Sequence, residues 1–166
     1  LLLSLAALER RRGALMDLGT GSGVLAIAAA RLGYSPVVAI DNERESIAAA
    51  SANALANGAR LDLHRADAIA HTAAWLDSGA GAQDVVVVAN LLRPALLELA
   101  RAWPRAPRHL LVGGLLAEQA DEVAAAFAEG LGLHERQRLD GAGWVALWLC
   151  AEFGEPPAAF PGSQHR

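Results

Sequence analysis

The segment DVVVVAN, Asp84 to Asn90, carries four valines in succession. A strand with one face in water alternates apolar and polar residues, so an unbroken β-branched run belongs to a strand buried on both faces. Covering both faces takes helices above and below a largely parallel sheet. The remaining sequence supplies them. LMDLG reads as a first strand and SGVLAIAAARLG as a helix closed by Gly33. PVVAID, Pro36 to Asp41, is a second strand, and ERESIAAASANALANG a helix ending at Gly58. LDLHRAD, Leu61 to Asp67, gives a third strand, followed by a short helical connection near Ile69 to Trp75 and a loop, SGAGAQ. Pro94 suits the first turn of the helix after the valine strand, where Leu96, Leu99, Ala100 and Trp103 share a face. RHLLVGG is a fifth strand, and Ala120, Val123, Ala124 and Phe127 stripe a fifth helix. LHERQRLD and GWVALWLC lie too close together around Gly141 and Gly143 for a helical crossover, so they predict an antiparallel hairpin.

These elements predict an α/β fold: a Rossmann-like, doubly wound, mostly parallel seven-stranded sheet with an antiparallel C-terminal hairpin, over residues 1–150. The proline- and glycine-rich stretch over residues 151–166 reads as a mobile tail. With 166 residues and 54% hydrophobic content, the chain can bury one core. It opens without methionine, inside an apparent helix with Leu1, Leu5 and Leu8 on one face, as a piece of a longer protein would. That opening is too short for a signal peptide, and Arg10, Arg11 and Arg12 read as its solvated end. No apolar run reaches the length of about 18 residues that a membrane span needs. A net charge of -4 disfavours a nucleic-acid-binding surface, and all 14 basic residues are arginine, a composition bias without functional meaning. The single cysteine, Cys150, reads as a buried small hydrophobe, and it excludes an internal disulfide framework; a reducing cytoplasm is the expected location. His64, His71, His109, His134 and His165 show no ligand spacing, so no metal site is expected.

The turn between the first strand and helix carries Gly19, Gly21 and Gly23. A glycine-rich strand-to-helix turn brings bare backbone and a helix N-terminus up to a ligand. A dinucleotide loop reads G-x-G-x-x-G, and Val24 stands where its third glycine belongs. No Gly-Lys-Ser/Thr follows, so this is not a phosphate-binding Walker loop. Asp41 ends the second strand 22 residues beyond Gly19. A carboxylate there either accepts hydrogen bonds from two ribose hydroxyls or caps the next helix.

DLGTGSGVLAIAA, VVAIDNE, NALANG, DVVVVANLL and GGLLAEQADEV together resemble the S-adenosylmethionine-dependent methyltransferase domain of bacterial ribosomal protein methyltransferases, the family acting on large-subunit protein eleven. The likeness runs from about Leu1 to Leu149. It implies a class I methyltransferase fold, S-adenosylmethionine as cofactor and a protein substrate on the ribosome, with no direct contact to nucleic acid and no membrane. It also implies site residues: Gly19, Thr20, Gly21 and Gly23 around the methionine part, Asp41 with Asn42 at the ribose, Asp67 with Ala68 at the adenine, and Asn90 beside the methyl group. The family's amino-terminal recognition domain and a threonine-bearing motif before the first helix are not among these 166 residues. Asn90-Leu91-Leu92-Arg93 stands where the family usually reads Asn-Ile-Leu-Ala.

A sulfonium methyl is already activated, so transfer to an amine is an in-line displacement that rests on alignment. A lysine amine, which ordinarily titrates near a pH of about 10.4, must lose its proton before attack. Asn90 orients the amine through its side-chain oxygen, or else caps the Pro94 helix. Asp17 reaches the cofactor amino group, or braces the loop. Trp144 and Trp148 share a strand face and read as core. Two further readings remain open: the same cofactor site serving a small molecule or another protein, and a non-catalytic remnant that binds cofactor or partner. A nicotinamide dehydrogenase is disfavoured by Val24.

Overall fold

A computed structural model of the chain describes Leu1 and residues 13–77 and 85–151. The expected opening helix with its arginines, the SGAGAQ loop and residues 152–166 of the expected tail, His165 among them, lie outside the described residues, while Ala151 ends a strand. Among the described residues, seven strands and five α-helices follow in order: β1 (Leu15–Leu18), α1 (Val24–Leu32), β2 (Val37–Asp41), α2 (Arg44–Ala56), β3 (Asp62–Arg65), α3 (Ala68–Asp77), β4 (Val86–Asn90), α4 (Arg93–Ala102), β5 (His109–Leu116), α5 (Ala120–Leu131), β6 (Leu133–Gly141) and β7 (Trp144–Ala151). A 3-10 turn, Ala117–Gln119, links β5 to α5. The strands form one sheet in the order β3-β2-β1-β4-β5-β7-β6. β1 to β5 run parallel, and β7 pairs antiparallel with both β5 and β6.

The valine run behaves as its composition requires. Val86 and Val88 pack into a cluster on one face with Leu15, Ala26, Ala29, Ala39, Leu111 and Trp148. Val87 and Ala89 pack into the opposite cluster with Leu96, Leu99, Val123 and Phe127. Alternate side chains of one strand thus seed two cores, and no position of that strand before Asn90 meets water. α1 packs on the first face and is ended by Gly33 at φ 94, which donates to the Ala29 and Ala30 carbonyls. On the second face α4 and α5 bury Leu96, Leu99 and Ala100, and Ala120, Val123 and Phe127. No helix among the described residues is long and apolar enough to cross a membrane.

Three details differ from the sequence reading. β5 continues through Gly113 and Gly114 to Leu116, where the glycine pair reads as a strand end. Two β5 residues there, Gly113 and Gly114, stand against one of β7, Ala146, a bulge that lets the strand absorb the pair and keep its ladder. Trp144 and Trp148 do share a face of β7, but only Trp148 is core; Trp144 is 54% exposed. It pairs with Leu116 and Gly141 at the strand start, beyond the cluster that closes over Trp148. Cys150, near the other end, is half-buried rather than buried.

Candidate active site

The site forms where the sheet's winding reverses. β1 lies between β2 and β4, and Leu18 is in register with Ile40 on one side and Ala89 on the other. The next residue on each strand is therefore level: Asp41, Gly19 and Asn90 stand in a row across the carboxyl ends of three adjacent strands. Such a switch point is where open α/β sheets bind ligands, because the two flanking turns diverge and leave a crevice.

The glycine loop is held from beneath. Asp17, 1% exposed at the core end of β1, accepts hydrogen bonds on Oδ2 from the Thr20 hydroxyl at 2.7 Å and the Ala26 amide at 3.1 Å. It thereby braces the loop and satisfies one of the unpaired amides in the first turn of α1. Burial pushes its carboxyl up to about 6, opposed by those two hydrogen bonds and helped by the nearby charge of Asp41. Thr20 is itself buried, its amide bonded to the Ile40 carbonyl. Gly19, Gly21 and Gly23 all have positive φ. At Gly19 the need is also steric, because a Cβ would collide with the Leu91 side chain. From outside, Asn53 of α2 donates to the Ser22 carbonyl at 2.8 Å, and Gly23 abuts Ala50. Space above the loop is open: a Cβ at Gly21 would meet nothing within 4 Å.

Asp41 does two structural tasks at once. Its Oδ2 accepts the Gly21 amide at 2.9 Å and its Oδ1 accepts the Glu43 amide at 3.0 Å. Each carboxylate oxygen offers about two lone-pair sites, so capacity for further donors remains. Asn42 is exposed beside it, its carbonyl accepting from Arg65 at 3.3 Å. Asp67 follows β3 and accepts the Ala70 amide at 2.8 Å, capping α3, with Ala68 the first residue of that helix. Both sit on the β2-β3 side of the crevice.

On the other side, Asn90 is exposed and does not cap α4, whose N-cap is Leu92 with no side-chain bond. Its side-chain oxygen points at Gly113 and Gly114 of β5 instead. Asn90, Leu91, Leu92, Gly114 and Trp144 line a cavity of about 540 Å³. Arg93 turns away from it to pair with Glu122, tying α4 to α5. Leu91, Leu92, Gly114 and Trp144 were not among the residues the sequence singled out for the site. The consecutive leucines after the buried strand, half-buried Leu91 and exposed Leu92, were the signal available.

A doubly wound sheet with an antiparallel final strand, carrying a glycine loop, an acidic β2 end and a polar β4 end at its switch point, defines the class I methyltransferase fold. The family model for Ribosomal protein L11 methyltransferase (PrmA) matches residues 2–151. The chain belongs to that family, whose members use S-adenosylmethionine. It is 41% identical over 136 residues to a ribosomal protein L11 methyltransferase of Bordetella parapertussis, covering 80% of this chain and 40% of that one. A crystal structure of ribosomal protein L11 methylase from Lactobacillus delbrueckii superposes with a TM-score of 0.70 at 27% identity, covering 92% and 79%. A T. thermophilus 16S rRNA methyltransferase, solved in complex with AdoMet and guanosine, shares the fold alone: TM-score 0.66, 19% identity, 91% and 42% coverage. The chain thus spans less than half the length of the Bordetella relative.

Proposed function

We propose that the chain is the cofactor-binding and catalytic domain of an enzyme that transfers methyl groups from S-adenosylmethionine to amines of ribosomal protein L11 in the cytoplasm. The observation that carries this reading is the row Asp41, Gly19, Asn90, with an acceptor for hydroxyls at one end, bare backbone in the middle and a carboxamide facing a cavity at the other. The family match supports ribosomal protein L11 as the acceptor.

The residues fit the cofactor better than a dinucleotide. Val24, 57% exposed at the first turn of α1, stands where a diphosphate would have to meet the helix N-terminus. Asp41 has acceptor capacity for two ribose hydroxyls while the Gly21 amide keeps the carboxylate oriented. Gly19 and Gly21, without side chains, let the methionine part lie against the loop. Asp67 and Ala68, which follow β3 beside the Asp41 end of β2, are assigned to the adenine edge. When bound there, S-adenosylmethionine supplies an electrophilic methyl on a sulfonium sulfur.

The chain's own contribution at the acceptor side is alignment. The side chains lining this open cleft are apolar apart from Asn90, so Asn90 is the side chain there that can hydrogen-bond an entering amine. Asn90 accepts one N–H of that amine through Oδ1 and leaves the nitrogen lone pair directed at the methyl. An uncharged oxygen holds the amine without pairing with its protonated state.

Titration calorimetry tests the cofactor assignment: S-adenosylmethionine binds and NAD does not. Asp41→Ala weakens binding by about 1.5–3 kcal/mol, the scale of hydrogen bonds to a charged group. Equal or tighter binding of NAD would overturn the assignment, and an unchanged dissociation constant in the variant would return Asp41 to a purely structural role.

A further inference from the structure

We propose that the Gly113–Gly114 bulge of β5 is a positioning element for the reaction, fixing where the Asn90 carboxamide stands; the inference rests on the role given to Asn90 above. Gly113 is the in-register partner of Asn90 in the parallel β4-β5 pair. A Cβ on Gly113 would lie 3.1 Å from Asn90 Oδ1, and one on Gly114 would lie 3.2 Å from the same oxygen. Successive residues of a regular strand point to opposite faces, so both could not face one atom. The bulge between Val112 and Leu115 makes it possible by inserting an extra residue and turning the strand locally.

The second glycine is constrained further. Gly114 has φ +78, and a Cβ there would come within 2.7 Å of the Leu91 carbonyl oxygen. The backbone that leads from Asn90 into α4 therefore packs directly on the bulge. Both missing side chains leave a volume that the Asn90 oxygen and the β4-α4 turn fill, and Gly114 also forms part of the cavity wall. Side chains at these two positions would push the carboxamide toward the acceptor or out of the crevice. Alignment for displacement tolerates errors of only about 0.5 Å.

Gly113→Ala is the test, since its backbone does not need a positive φ. A Cβ at Gly113 would also touch the flexible end of the Leu1 side chain, at 2.7 Å, so the change is compared in two backgrounds. In the parent chain, Gly113→Ala is expected to lower the single-turnover rate of methyl transfer to L11 by about tenfold or more, with the S-adenosylmethionine dissociation constant unchanged. In the Asn90→Ala background it is expected to change nothing further, because the oxygen it displaces is gone. Parental turnover in Gly113→Ala, or the same fold-loss in both backgrounds, would overturn the proposal. If Asn90→Ala itself turned over as fast as the parent, the role assigned to Asn90 would fail separately. The positioning would then be read from the Asn90 side-chain amide signals in a nitrogen-proton NMR spectrum. A shift of those signals in Gly113→Ala supports the bulge as positioner, and unmoved signals overturn it. Should Gly113→Ala fail to fold, Gly113→Ala with Leu1→Ala relieves the second contact and keeps the first.

Discussion

Asp17 is a carboxylate held in the core for the sake of a loop. Its raised pKa, about 6 against an ordinary value of 3.8, has a stability consequence whose sign is fixed. Between those two values the folded chain binds the proton and the unfolded chain has released it, so stability falls as pH rises across the window. The protonated form's advantage is complete below the unfolded value and lost above about 6, a difference of about 3 kcal/mol. Asp17→Asn keeps an acceptor for Thr20 and Ala26 and removes the charge. Chemical denaturation at several pH values between about 4 and 7 is expected to show the variant gaining on the parent toward neutral pH by roughly that amount. Parallel stability curves would contradict it. The glycine loop and Asp41 were legible in the sequence because each has a fixed spacing from the strand before it. The division of labour between Asp17 and Asp41 was not, because it depends on depth: one carboxylate sits under the loop, the other level with it. The alternative of Asn90 as a helix cap was likewise settled only by geometry, which gives the cap to Leu92.

The five crossover units and the hairpin follow from patterns that composition carries: unbroken valines for a doubly covered strand, helical stripes closed by glycine, and too few residues for a helix between β6 and β7. What escaped was set by the third dimension. A glycine pair at the end of RHLLVGG signals a terminus in one dimension, whereas a neighbouring strand can accept it as a bulge. Trp144 has the same periodicity as Trp148 but lies past the helix-covered part of the sheet. The two tryptophans should accordingly differ in stability effect. Trp148 is 4% exposed and donates through its indole to His109 at 3.3 Å. Trp148→Ala is expected to cost about 3–5 kcal/mol in denaturant unfolding. Trp144→Ala should cost about 0.5 kcal/mol, as an exposed site does. Comparable losses at both positions would mean that Trp144 packs more tightly than its exposure indicates.

At the scale of the molecule, the chain holds the cofactor crevice, while the Bordetella relative has more than half its length outside the matched region. On the proposed reading, S-adenosylmethionine binding is expected of this chain, since the residues assigned to it belong to β1 to β4 and the turns that follow them. Delivery of a folded protein acceptor needs surfaces that hold it, and the orientation so gained is worth several powers of ten in rate. The measurement that bears most directly on the central claim is transfer of labelled methyl from S-adenosylmethionine to fractionated ribosomal proteins by this chain, run beside a full-length relative. The account predicts that label enters amines of L11, more slowly than with the full-length enzyme, and that Asp41→Ala and Asn90→Ala each slow it measurably at the same cofactor concentration. Cofactor binding with no label in L11, or label entering a different acceptor, would contradict it.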